Sequence, residues 1–453
     1  MLGHHFVAVF GGAVAGSEAA YQLALRGFRV VVFEQNLLPY GKIEDGLPKW
    51  HDKLRDKEEN KINVKFSHPN VHYVPGVKLG RDIDFDDLVK NWGFTAILLA
   101  TGAWRDRPLP IDGIDEYINK GLYYQNPLVY WYNHKHEPDY NGPTFELTDD
   151  AMVIGGGLAS LDVVKILMME SVEKALSERG HKVDMFTLDR SIAKVLEELD
   201  LTLDDLQIKG CRLLYRRRDM DMPLSPLPTD TQEQLAKAQT VRKKILDNFL
   251  KKYLFRFIPC HAPIDKIVED GKLTGIVFQE TKIEDGRVVP IPNSERSYNA
   301  PLVISSIGSL PEKIESVPWQ GQVFNVDQDN CCKLDGYDNV FALGNAVTGR
   351  GNIIESMKHG KSVTIDIMDK HLHWEEKDYE NWFRSAEQQT EEQVEAIADQ
   401  ISHKDFMPEE VVQDIIDRVK TLQQKAGYNG DFAAWVTKNL PVRLEQLLEA
   451  DKG

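Results

Sequence analysis

Two glycine turns of one design constrain this chain more than any other feature. The first is Phe6-Val-Ala-Val-Phe-Gly-Gly-Ala-Val-Ala-Gly16, a run of β-formers feeding a turn that opens the helix Ser17-Glu-Ala-Ala-Tyr-Gln-Leu-Ala-Leu. That helix stops at Gly27, and Phe28 to Phe33 returns as a second buried strand closed by Glu34. Gly11 allows the tight turn and Gly16 allows close helix–strand packing, so the helix N-terminus faces a pyrophosphate with free N–H groups and a positive dipole end. The middle glycine of the usual pattern is here Ala13, but the strand–turn–helix–strand–acid context carries the reading. Glu34 stands where a carboxylate accepts ribose hydroxyls. The second turn is Ala151-Met-Val-Ile-Gly-Gly-Gly-Leu-Ala-Ser-Leu-Asp162, in which Gly155, Gly157 and the small Ser160 keep the spacing throughout. Chance supplies one such turn far more often than two with matching flanks.

At 453 residues the chain has room for two or three domains. Its net charge of −17 argues against non-specific nucleic-acid binding. No apolar run reaches bilayer length, so no membrane span is expected. The N-terminal apolar run is the first strand itself rather than a secretory signal, which leaves the cytoplasm as the default compartment. The cysteines are Cys211, Cys260, Cys331 and Cys332, with no C-x-x-C among them. Neither a dithiol centre nor a zinc or iron–sulfur framework is supported, and Cys331-Cys332 reads as free thiols near a turn. Electron chemistry in this chain would therefore rest on a bound organic cofactor.

After the second strand comes a Gly- and Pro-rich loop to His51, a charged helix over 52–60, a strand over 71–74 and a short helix opened by the acids of Asp84-Phe-Asp-Asp-Leu. Thr95-Ala-Ile-Leu-Leu-Ala-Thr-Gly-Ala103 reads as a buried strand, and 104–150 as a crossover between domains. Helical periodicity runs from Ser171 to about Leu206, a long insertion before the strand Cys211 to Tyr215. A basic amphipathic helix over 232–250, a strand at Phe255 to Ile258 and a hairpin-like pair around Asp270-Gly and Glu284-Asp-Gly follow. The basic run Arg242-Lys-Lys244, Lys251, Lys252 and Arg256 could dock an acidic ferredoxin or flavodoxin, although such a run is more often a solvated face. Leu302 to Gly308 and Val340 to Asn345 are further buried strands, and a helix is expected from Ile353 to about His371. The tail is helical: Pro408 starts a helix with Val411, Val412, Ile415, Ile416, Val419 and Leu422 on one face and Gly427 as its stop. It could dock on the body, clasp a partner or mediate dimerisation, with docking on its own domain favoured.

Taken together, Gly11 to Gly16, Glu34, Pro39-Tyr-Gly41, Ala100-Thr-Gly102, Val153 to Asp162, Leu214-Tyr-Arg-Arg217 and Val340 to Ile354 resemble the two-dinucleotide-binding-domain flavoproteins. Within that class the chain is most similar to the adrenodoxin reductase group of ferredoxin–NADP reductases, and also to the small subunit of NADPH-dependent glutamate synthase. The resemblance covers roughly residues 5–370 and implies an α/β fold of two Rossmann-like domains plus a C-terminal helical extension. FAD is expected in a discontinuous domain (1–105 and 325–375), NADP(H) in 106–324, and the extension in 376–453. The flavin residues so implied are Gly11, Gly12, Ala13, Val14, Ala15, Gly16, Glu34, Gln35, Gly41, Lys42, Val77, Ala100, Thr101, Gly102, Gly344, Asn345, Gly351, Asn352, Ile353 and Ile354. Asn345 departs from the Gly-Asp or Gly-Trp of relatives, and can hydrogen-bond a hydroxyl without adding charge. The nicotinamide site is implied at Gly155, Gly157, Leu158, Ala159 and Ser160.

Arg216 and Arg217, at the end of a Rossmann strand, point to the 2′-phosphate of NADP(H) rather than NAD. His51 and Asp162 fall where the family has a histidine near the flavin and its partner aspartate; a carboxylate beside imidazole suits a proton relay. The resemblance implies an FAD-dependent oxidoreductase that takes hydride from NADPH and passes electrons to a ferredoxin-type carrier, possible in either direction, with no metal site. An electron-input subunit of a larger reductase or synthase is the alternative. A non-catalytic dinucleotide-binding scaffold is the alternative of another class.

Overall fold

The computed structural model describes residues 5–225, 227, 229–344, 347 and 374–450. The chain divides into two compact units, the first being Met1–Leu47, His51–Arg105 and Ser309–Gly453, the second Pro48–Trp50 and Asp106–Gly308.

The first unit begins β1 (Phe6–Phe10), α1 (Val14–Leu25), β2 (Arg29–Glu34), α2 (Lys42–Asp45), α3 (Asp52–Phe66), β3 (Val71–Pro75), α4 (Phe85–Asn91) and β4 (Ala96–Leu99). β1 pairs in parallel with β2, Phe6 opposite Arg29 through Phe10 opposite Phe33, and on its other side with β4. Strands covered on both faces need apolar residues at every position, and β1 is buried throughout. Side-chain alternation divides it, Phe6, Ala8 and Phe10 into one core and Val7 and Val9 into the other. α1 ends through Gly27, which takes φ +89° and turns the chain into β2. α4 is capped by Asp84, whose carboxylate accepts the Asp87 N–H at 2.8 Å. α3 continues past the charged 52–60 stretch because Ile62 and Phe66 are buried in the core.

The second unit contains β5 (Leu122–Tyr124), α5 (Gln125–His134), β6 (Met152–Gly155), α6 (Leu158–Glu178), α7 (Met185–Arg190), α8 (Ile192–Glu198), β7 (Arg212–Leu214), α9 (Gln232–Tyr253), β8 (Arg256–Ile258), β9 (His261–Glu269), β10 (Lys272–Glu284), β11 (Arg287–Asn299) and β12 (Val303–Ser306). Its parallel sheet runs β5-β12-β6-β7-β8. The stretch expected as a crossover thus supplies the edge strand β5, and the single helical insertion over 171–206 is three helices. β9, β10 and β11 form an antiparallel meander through two Asp-Gly turns, Asp270-Gly271 and Asp285-Gly286, with positive φ at all four residues, the type I′ geometry of tight hairpins. Leu273, Ile276 and Phe278 of β10 share a core with Leu122, Met152, Ile154, Leu214 and Val303.

The second unit closes at Gly308 rather than 324, because Ile314, Val317 and Phe324 enter the core of the first unit. There β13 (Val326–Asp327), β14 (Lys333–Leu334) and β15 (Val340–Ala342) extend the sheet to the order β13-β14-β15-β4-β1-β2-β3, with β15 parallel to β4. The tail folds as α10 (Trp374–Ser402), α11 (Glu409–Ala426), α12 (Phe432–Asn439) and α13 (Leu444–Ala450). It docks on its own unit. Phe383, Val394, Ile397 and Ile401 of α10 share a core with Ala19, Ala20 and Leu23 of α1, and α11 buries Val412, Ile415 and Val419 in the opposite core. Pro408 caps α11 and Gly427, at φ +74°, ends it. Asn345, Gly351, Asn352, Ile353 and Ile354, with the helix expected after them, lie outside the described residues. Among the described residues no helix is long and apolar enough to cross a membrane.

Candidate functional site: two glycine turns at helix N-termini

In the first unit the turn after β1 is set by backbone crowding. Gly11 takes φ +100°, and a Cβ there would lie 2.4 Å from the Ala100 carbonyl oxygen. A Cβ on Gly16 would lie 1.7 Å from the Gly11 oxygen, so only glycine permits the crossing of helix and strand. α1 opens from Ala13 with no side-chain cap and no acid in its first turn, so among the described residues the N–H groups of Val14, Ala15 and Gly16 are left to an outside acceptor. Glu34 Oε2 accepts the Gly12 N–H at 2.7 Å, and Oε1 accepts the Asn36 N–H at 3.0 Å. The carboxyl is 3 % exposed, and burial pushes it up to about 7 against those two hydrogen bonds, which favour the ionised form.

The other expected flavin residues in this unit gather on the same turn. Gly41 takes φ +52°, and a Cβ there would lie 2.8 Å from Ala13 Cβ. Lys42 opens α2 and donates to Ser309 Oγ at 3.1 Å; Gln35 follows Glu34 at the end of β2. Val77 is buried and its N–H reaches the Glu34 carbonyl at 2.8 Å. Ala100 donates its N–H to Phe10 O at 2.9 Å, leading through Thr101 to Gly102 at φ +69°. A Cβ on Gly344 would stand 3.1 Å from that of Ala15. An uncapped helix end with glycine walls and a buried acid at the next strand's tip is a donor and acceptor set that fits a dinucleotide's pyrophosphate and ribose.

The second turn repeats the design with different chemistry. A Cβ on Gly155 would lie 2.3 Å from both Ser160 Oγ and the Ser306 oxygen, whereas Gly157 has nothing within 4 Å. Ser160 Oγ accepts the Gly157 N–H at 3.2 Å and donates to Ser306 O at 3.1 Å, tying the N-terminus of α6, with Leu158 and Ala159, to β12. No acid lies in the first turn of α6. Tyr215 has a role that the sequence reading missed: its ring fills the space a side chain at position 156 would need, 2.2 Å from the built Cβ. The aromatic just ahead of the arginine run was its signal. Arg218 is committed to Asp221 at 2.8 and 3.0 Å, and Arg217 donates to Gly286 O at 3.1 Å. Arg216 is exposed, and its side chain makes no ion pair among the described residues.

His51 belongs to the first unit and Asp162 to the second. The His51 ring is 3 % exposed and lies edge-on to Tyr379 at 5.1 Å, while its carbonyl accepts the Arg55 N–H at 2.9 Å as α3 begins. Asp162, 6 % exposed, sits in the second turn of α6. All four cysteines are free thiols; burial pushes Cys211 up to about 12 and Cys332 to about 11, so both are protonated near neutral pH.

Residues 5–201 match the family model described as pyridine nucleotide-disulphide oxidoreductase. The mitochondrial NADPH:adrenodoxin oxidoreductase of Arabidopsis thaliana is 26 % identical over 363 residues, 71 % of this chain and 71 % of that protein. The glutamate synthase [NADPH] small chain of Bacillus subtilis is 24 % identical over 392 residues, 81 % of this chain and 67 % of its own length. The structure of FprA from Mycobacterium tuberculosis in complex with NADPH superposes with a TM-score of 0.64 at 18 % identity, covering 93 % of this chain and 91 % of that one. Residues 5–201 thus match the pyridine nucleotide-disulphide oxidoreductase family, and the chain is similar to an NADPH:adrenodoxin oxidoreductase and to a glutamate synthase small chain.

Proposed function

We propose that the protein is an FAD-dependent oxidoreductase that takes hydride from NADPH and delivers electrons singly to a ferredoxin-type carrier. The observation that carries this reading is the pairing of two helix N-termini free of acids in their first turns with opposite charge at the neighbouring strand tip: the acid Glu34 beside the first, the arginines 216–218 beside the second. An acid there suits a ribose that bears free hydroxyls, and a guanidinium suits one that bears a 2′-phosphate. The first unit accordingly holds FAD and the second NADP(H).

When bound, the flavin supplies the conversion between two-electron and one-electron transfer. The chain's part is orientation and proton handling. The N–H groups of Val14, Ala15 and Gly16 in the first turn of α1 hold the diphosphate, Gly11 and Gly12 shape the turn beneath it, and Glu34 accepts from the ribose. In the second unit Ser160 fixes the start of α6, and Arg216 and Arg217 hold the 2′-phosphate. A hydride brings two electrons and one proton, so two single-electron deliveries leave a proton to be released. His51, buried at the start of α3, is the group proposed to carry it.

The relation to a glutamate synthase subunit over 81 % of this chain favours a second reading, an electron-input subunit of a larger complex. The test is reconstitution with FAD, followed by NADPH-driven reduction of ferricyanide and of cytochrome c through added ferredoxin. Both reactions are expected. Ferricyanide turnover without ferredoxin coupling moves the assignment to the subunit reading. A colourless protein that takes up no FAD overturns both.

A further inference from the structure

The tail reaches back to the stretch that bears His51. Arg443, 5 % exposed just ahead of α13, uses Nη1 to grip both oxygens of Glu44 at 2.6 and 2.7 Å. Its Nη2 grips both oxygens of Glu59 at 2.9 and 3.0 Å. Beside it Arg55 is ion-paired with Glu445 of α13 and lies 3.9 Å from Glu59. Glu44 belongs to α2, which follows directly on the Gly41 that abuts Ala13 of the first turn, and Arg55 and Glu59 belong to the first two turns of α3, whose N-cap is His51. Between these anchors the chain leaves the first unit at Leu47 and re-enters it at His51. One guanidinium therefore closes the base of the excursion from both sides. The planar guanidinium offers each carboxylate its own nitrogen at a fixed spacing, which the single nitrogen of a lysine cannot reproduce.

We propose that Arg443 is a positioning residue for the redox site: the C-terminal segment clamps α2 to α3 and so sets both the flavin-side loop after Gly41 and the backbone carrying His51. The inference rests on the flavin reading for its consequence, while the clamp itself is a property of the flavin-free chain. Because Arg443 engages Glu44 and Glu59 together, the tail is part of the site's frame rather than an appendage.

Hydrogen exchange on the full-length protein, with and without FAD, tests both levels. Arg443→Lys is the first variant. Glu44→Gln, which keeps the side-chain shape and weakens one of the two links, is the second should the first fail to fold. The expected result in flavin-free protein is a rise of at least tenfold in exchange confined to residues 42–59, with the β9–β11 meander unchanged. With it come a roughly tenfold weaker FAD dissociation constant and a displaced pH profile for ferricyanide reduction, both milder in Glu44→Gln. Unchanged exchange over 42–59, or a uniform rise across the first unit, overturns the clamp. Local loosening with unaltered flavin affinity and pH profile overturns the positioning role. Local loosening in a chain whose wild type takes up no FAD upholds the clamp and sinks the flavin reading instead.

Discussion

Glu34 Oε2 accepts the backbone N–H of Gly12 at 2.7 Å, tying the tip of β2 to the turn that opens α1. Burial is the larger influence on this carboxyl and raises it to about 7. A carboxyl raised on folding favours the folded state most below its unfolded value, near 4.5, and that benefit is lost as pH rises through about 7. Ribose hydroxyls need the ionised acceptor, so flavin binding follows the opposite sign. FAD affinity is expected to be roughly tenfold tighter at pH 8 than at pH 6, following the ionised fraction. Glu34→Gln should flatten that slope and weaken binding at pH 8, and its amide NH2 leaves one of the Gly12 and Asn36 N–H groups without its acceptor. Flavin-fluorescence titrations and urea melts at both pH values check each part.

The two glycines that begin similar helices differ in what surrounds them. Gly16→Ala would place a methyl 1.7 Å from a backbone oxygen that cannot move without breaking β1, whereas Gly157→Ala meets nothing within 4 Å. Gly16→Ala is expected to cost more than about 3 kcal/mol and to yield protein without flavin. Gly157→Ala should fold with the parent's stability, yet put its methyl where a pyrophosphate approaches, raising KM for NADPH about tenfold with kcat little changed. Thermal unfolding and steady-state kinetics separate the two outcomes.

Local grammar made much of this legible from sequence. The Asp-Gly pairs at 270 and 285 announce their hairpins, Asp84 its helix, and Pro408 and Gly427 the ends of α11, since each signal acts within a few residues. Other features had no local trace. β5 is three residues long, too short to show a period, so its edge of the second sheet read as connecting chain. The placement of 309–324 depends on Ile314, Val317 and Phe324 finding a core built by residues 6–99. Arg443 looks like any basic residue near a helix start; its partners lie far back in the chain, at positions 44 and 59. Long-range charge pairing has no periodicity to read.

The three arginines after β7 are not equivalent in their commitments. Arg218 is held by Asp221 and Arg217 is engaged with Gly286 O, which leaves Arg216 as the guanidinium with no ion pair to give up among the described residues. Arg216→Ala is expected to lower kcat/KM for NADPH 10- to 100-fold while leaving that for NADH nearly unchanged, because only the former carries the 2′-phosphate. Arg218→Ala should change the ratio less than threefold. Paired kinetics with the two nucleotides measure the discrimination directly.

The docking of α10 turns on charge as well as apolar packing. Lys57, Lys61 and Lys65 recur every fourth residue along one side of α3, where Lys57 meets Glu380 at 2.7 Å and Lys65 meets Glu387 at 2.6 Å. Lys57 is half-exposed and its pair is worth little, but Lys65 is 9 % exposed and also holds Glu18 of α1 at 2.7 Å. Removing Lys65 takes the cation from Glu18 in a poorly hydrated place and leaves Glu387 only the more distant Lys61, at 3.7 Å. Lys65→Ala is therefore expected to cost about 3–5 kcal/mol, and Lys57→Ala less than about 1 kcal/mol. The triple change Lys65→Met, Glu18→Gln, Glu387→Gln removes the charges together and should recover most of the loss, because burying neutral groups spares the desolvation of three ions. Urea unfolding of the four proteins checks the order. A triple variant no more stable than Lys65→Ala would mean that the ion cluster stabilises the tail beyond its own desolvation cost.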